Sequence, residues 1–121
     1  MEFLKENAEY FGRKAFEAIK KKPKFVLFFV GQAIQLYVKY ILAKELDDYL
    51  KTHNLRILFQ KPAKIDAKTE KFYDENADIF DLLEEAYITA RYLDKEYSVK
   101  SAEKALALLE KFKEEFKKWL A

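Results

Sequence analysis

The stretch from Phe25 to Leu42 constrains this chain more than any other segment. It is almost wholly apolar, yet it carries Gln32, Gln35 and Lys39 spaced along its length. A membrane span would have to bury all three, and a lysine at mid-bilayer alone costs roughly 2.5–3.5 kcal/mol. A helix at the centre of a soluble bundle accommodates the pattern, being apolar most of the way round. Gln32 and Lys39 are seven apart and so lie within about 20° of each other on a helix surface, with Gln35 beside them. The reading is a core helix over residues 24–47 with one narrow polar strip and no membrane partner.

The remainder of the chain offers further helices to pack around it. Two Gly and two Pro in 121 residues are too few turn formers for an all-β design. Ala, Leu, Glu and Lys, all good helix formers, dominate instead. Phe3, Ala8, Phe11, Ala15, Ala18 and Ile19 recur at helical spacing and predict a first helix over 3–21. Lys20, Lys21 and Lys22 suit its C-terminal dipole, and Pro23 breaks it and opens the next helix. Lys51-Thr52-His53-Asn54 reads as a break with capping residues, followed by a short helix over 55–59 that Lys61-Pro62-Ala63 ends.

A fourth helix is expected over 67–92. There Phe72, Ile79 and Ala86, and likewise Tyr73, Phe80 and Tyr87, repeat every seven residues as a seam. Its acidic residues Asp74, Glu75, Asp78, Asp81, Glu84 and Glu85 read mostly as a solvated face. Leu93 to Tyr97 reads as a loop and Ser98 as the N-cap of a last helix reaching residue 120. Ala102, Ala105, Leu109, Phe112, Phe116 and Trp119 give that helix its apolar stripe. The expected architecture is all-α: one domain over 1–121, an up-and-down four-helix bundle with one short extra helix.

The absence of cysteine excludes disulfides, thiolate catalysis and Cys-based zinc sites. His53 is the only histidine, which argues against a metal site, and no cofactor is implied. Phosphate-loop, dinucleotide, nucleophile-elbow, zinc-protease, calcium-loop and di-iron motifs are all missing. A net charge of +2 does not by itself point to nucleic acid. Phe3-Leu4 is followed at once by Lys5 and Glu6, unlike a secretory signal, so a cytoplasmic setting is expected. Charged residues at 36 %, mostly Lys and Glu, match a thermophile-like composition.

What stands out is a set of polar residues in apolar company: Gln32, Lys39, His53, Tyr87, Arg91 and Tyr92. In the expected bundle these segments converge at one end. Arg91 and Lys39 offer a planar fork and a point charge for phosphate oxygens. Alternatively Arg91 pairs with Glu84 or Asp94, and Lys39 snorkels to solvent. His53 can donate to a phosphate or act as an acid or base, or else its ring packs and bonds locally. Tyr92 is a better platform for a base than Tyr87, which belongs to the aromatic row. Gln32 either reads a base edge or satisfies a partner in the core.

Three segments resemble the HEPN domain family of prokaryotic helical bundles. Phe28 to Leu42 is similar to the family's F-H-A-Q-Q-A stretch leading to K-A-L-L. Gln32, Ala33, Lys39 and Leu42 match, whereas Phe29, Gly31, Gln35 and Leu36 depart. Thr52-His53-Asn54-Leu55 looks like T-H-x-L. Ala86-Tyr87-Ile88-Thr89-Ala90-Arg91-Tyr92 looks like A-Y-I-x-x-R-Y, with Leu93 in place of the usual proline. The resemblance spans most of the chain in order. It implies a nucleotide- or RNA-binding module that forms a homodimer and works with a nucleotidyltransferase. Some relatives are ribonuclease toxins using R-x(4–6)-H. No histidine follows Arg13, Arg56 or Arg91 at that spacing, so no catalytic residue is assigned. Two rivals stand beside binding: a metal-independent ribonuclease with His53 and Arg91 as its polar pair, and a structural dimerisation or docking bundle.

Overall fold

The computed structural model describes residues 1–47, 51–60 and 67–121. Within them lie α1 (Glu2–Ala18), α2 (Pro23–Leu46), α3 (Leu55–Gln60), α4 (Lys68–Glu75), α5 (Ala77–Tyr92), α6 (Val99–Glu115) and α7 (Lys117–Leu120). No strand occurs among the described residues. The all-α reading therefore holds, and each expected helix is present.

Local chemistry explains most of the boundaries. Pro23 occupies the start of α2, where its missing N–H costs nothing. Asp47 ends α2 in the left-handed conformation (φ 62°), a role short polar side chains tolerate. The Asn54 side chain accepts from the Ile57 N–H at 3.1 Å and starts α3. Ser98 caps α6, its hydroxyl accepting from the Ser101 N–H at 3.0 Å. The proposed stop at Lys61-Pro62-Ala63 lies outside the described residues.

Two expected helices are each divided. The helix read over 67–92 breaks at Asn76, whose backbone leaves the helical region (φ −118°, ψ 23°). Its side-chain amide donates to the Phe72 carbonyl at 2.8 Å, the local competition with the helix that asparagine supplies. The last helix breaks likewise at Phe116 (φ −112°, ψ 21°), whose ring stays buried against Phe72 and Phe112.

The hub is α2. Phe29 meets Phe11 and Tyr40 meets Glu2, so α1 runs antiparallel to it. Phe28 meets Tyr87 and Gly31 meets Leu83, so α5 is antiparallel too. Tyr37 meets Phe112 and Lys44 donates to the Ala121 carbonyl, so α6 and α7 run parallel to it. These directions are those of an up-and-down arrangement. By length and composition α2 is apolar enough to cross a membrane, but 72 % of its apolar window is buried inside the molecule, as in a core helix. Around Phe59, an aromatic cluster of Phe72, Tyr73, Phe80 and Phe112 fills the core. The Trp119 ring is half-buried, and its N–H is buried with no acceptor among the described residues.

Candidate functional site

The polar strip of α2 faces α5 and the segment that enters α3. Gln35 is buried (3 % exposed) and holds His53 in two places. Its amide nitrogen donates to the His53 carbonyl at 3.3 Å, and its amide oxygen lies 3.1 Å from His53 Nδ1. An amide oxygen only accepts, so Nδ1 carries the proton and Nε2 of the neutral ring is the free nitrogen. The ring centroid lies 4.9 Å from that of Tyr87.

Arg91 approaches the same tyrosine. Its guanidinium sits 4.2 Å from the Tyr87 ring centroid, 4.9 Å from that of Tyr92 and 5.4 Å from that of Phe28. Its Nε donates to the Tyr87 carbonyl at 2.8 Å, one turn back along α5. No carboxylate pairs with it among the described residues. The alternative in which Glu84 or Asp94 neutralises Arg91 is therefore not what the fold does. Glu84 instead accepts the Leu55 N–H at 2.6 Å, satisfying an open donor at the start of α3. Three rings and a backbone carbonyl hold the guanidinium, leaving its terminal donors available.

Lys39 lies one turn beyond Gln35 and is 8 % exposed, with no hydrogen bond or ion pair among the described residues. Burial lowers its pKa from the ordinary lysine value. The His53 pKa is also lowered, first by desolvation of the ring and then by the charges of Lys39 and Arg91, with Glu84 opposing. Both cations therefore bear on one imidazole, although neither touches it.

Gln32 is half-buried and lines a depression with Phe28, Gly31, Gln35, His53 and Tyr87. The space inside is only about 10 Å³, room for no more than one water. A larger ligand must lie over this depression. Tyr92, 70 % exposed, does not line the depression and joins the group only through its contact with Arg91. The fold thus groups Gln32, His53, Tyr87 and Arg91, sets Tyr92 at the margin, and brings Lys39 in through its charge. Gln35, read only as a flanking residue, is the side chain that orients the histidine. Its position on the α2 strip was the available signal.

The acidic residues of α4 and α5 are mostly a solvated face, as read, with two exceptions. Asp74, Glu75, Asp78 and Asp81 are exposed, but Glu84 caps α3 and Glu85 bonds Lys95 and Tyr97. Those bonds lower the Glu85 pKa and pin the loop before Ser98 to α5. No group of acidic or histidine side chains among the described residues is arranged to hold a metal.

No curated protein and no solved structure matches the chain. The family model described as the HEPN domain matches residues 1–119. With nearly the whole sequence covered, the chain belongs to the HEPN domain family.

Proposed function

We propose that this HEPN domain binds a nucleotide or a single-stranded RNA segment across the Tyr87 platform. HEPN domains are nucleotide- or RNA-related modules, which supplies the broad class. The observation that carries the finer reading is the state of Arg91: exposed, held by three aromatic rings and one carbonyl, and free of any carboxylate among the described residues. Such a guanidinium offers its terminal N–H groups to a phosphate in bidentate fashion. Lys39 adds a second positive charge, His53 Nε2 bonds an oxygen or hydroxyl, and the exposed Tyr92 ring stacks on a base. Gln32 supplies an amide at the rim. The protein works in the cytoplasm as a homodimer beside a nucleotidyltransferase.

Titration of nucleoside phosphates and short RNAs by fluorescence anisotropy tests this. Wild type binds, and Arg91→Ala weakens binding by at least about tenfold, about 1.4 kcal/mol. Equal binding by the two proteins, or none by either, removes the proposal.

A second reading, ribonuclease activity without a metal, is favoured by one feature: a neutral His53 whose Nε2 is free, beside two cations. Such a nitrogen can take the proton of a ribose hydroxyl while a cation meets the phosphate. Incubation of RNA with chelator present decides it, because cleavage must then be seen in wild type and lost in His53→Ala.

A further inference from the structure

The histidine beside Tyr87 is held in one hydrogen-bonding sense, and that sense is opposite to that of the cations around it. The backbone sets it. The His53 carbonyl can only accept, so the end of the Gln35 side chain that faces it at 3.3 Å is the amide nitrogen. The other end, 3.1 Å from His53 Nδ1, is therefore the oxygen, which also only accepts. The carbonyl thus decides which way the amide lies, and the amide decides which ring nitrogen carries the proton.

Both partners are kept from turning over. Gln35 is 3 % exposed on the central helix, where an exchange of its two ends would set oxygen against oxygen. The Tyr87 ring lies against the imidazole at an inclination of 30° and limits its rotation. Nε2 is left on the side of the ring away from Gln35. His53 is exposed and lines the depression, and no hydrogen bond reaches Nε2 among the described residues. In the neutral ring that nitrogen accepts.

The cations beside it only donate. Arg91 and Lys39 carry N–H groups alone and bear on the ring from α5 and α2. Glu84 also acts on the ring from α5, but its carboxylate is directed to the Leu55 N–H at 2.6 Å. A bare phosphate dianion has acceptors alone, so it satisfies the two cations and leaves Nε2 facing another lone pair. A sugar hydroxyl next to the phosphate supplies the missing donor. Ribose has that hydroxyl at its 2′ position and deoxyribose does not.

We propose that Gln35 is a positioning residue that fixes His53 Nε2 as an acceptor, so that the site selects nucleotides whose sugar presents a free hydroxyl beside the phosphate. This rests on Arg91 as the phosphate contact and adds to it the choice between ribose and deoxyribose.

Three mononucleotides without a cleavable phosphodiester test it: adenosine 3′-monophosphate, its 2′-deoxy form and its 2′-O-methyl form. All three keep the base, the phosphate and the 5′-hydroxyl, and the methyl ether keeps the 2′ oxygen while losing its proton. In calorimetric titration at pH 8, where the ring is neutral, the ribonucleotide should bind at least fivefold more tightly than either of the others. Gln35→Leu and His53→Phe should each abolish that preference. His53 is the only histidine, so its ring ¹⁵N signals are read directly. They should show the proton on Nδ1 in wild type and a shift toward Nε2 in Gln35→Leu. Equal affinity for all three nucleotides, lost in Arg91→Ala, overturns the inference and leaves the phosphate contact standing. Binding of none overturns both. A 2′-O-methyl form that binds as tightly as the ribonucleotide overturns the inference, because the hydroxyl is then not needed as a donor. A wild-type ring protonated on Nε2 does the same.

Discussion

His53 is an ionisable group whose neighbours discourage its ionisation. Its ring is partly desolvated and lies in the field of Lys39 and Arg91, so its pKa in the folded chain falls below the ordinary value near 6.5. The unfolded chain therefore takes up a proton first as the pH drops. That linkage removes stability as the pH falls through 6.5, until the folded histidine also protonates. His53→Gln should flatten this part of a stability–pH curve measured by urea denaturation. A bound phosphate reverses the local field and favours the imidazolium. Binding should then take up a proton and strengthen on acidification between pH 7 and 6. Calorimetry in buffers of different ionisation enthalpy reads that proton directly, and its absence would place the phosphate away from His53. The residue types at this site were legible in the sequence: Gln32, Lys39, His53, Tyr87, Arg91 and Tyr92 were all marked by polar character in apolar surroundings. The partnerships were not. That Gln35 orients the imidazole, and that rings rather than carboxylates hold Arg91, depends on distances between residues far apart in the chain.

At the scale of elements, α2 was marked by being apolar most of the way round, and helical spacing of apolar residues recovered the long helices packed on it. That spacing overlooked the breaks at Asn76 and Phe116, where a single residue steps out of helical geometry while the apolar stripe continues on both sides. Phe72 and Phe80 still meet across the first break at 6.1 Å, so the packing does not announce the step. Helix starts were easier to read, because a cap is a local device. Ser98→Ala should cost about 1 kcal/mol in chemical denaturation, the usual value for a lost N-cap. Glu84→Ala strips the Leu55 N–H of its acceptor, and α3 has only six residues to resist the loss. Faster amide exchange in α3, with little change in α6, should distinguish that local loosening from global unfolding.

For the molecule as a whole, the central place of α2 sets both what is stable and what is available. Ile34 is fully buried on that helix, and Ile34→Ala should cost roughly 2–5 kcal/mol. Electrostatics at this scale are modest, since the net charge is +2 and lysines alternate with glutamates on the outer faces. Recognition of RNA should therefore rest on few phosphate contacts. If Lys39 and Arg91 neutralise two phosphates of a single strand, the logarithm of the binding constant falls with the logarithm of salt concentration with a slope of about −1.4. A much steeper slope would mean that a wider basic surface takes part.

Trp119 gives the molecule a built-in gauge. It is the only tryptophan, its N–H is screened from water, and it does not line the His53 depression. An indole in such surroundings emits at shorter wavelength than one in water, and the light shifts to the red only when the helices come apart. Ligand occupancy should leave that colour alone, so one fluorescence trace during melting reports folding cleanly, whatever happens to be bound.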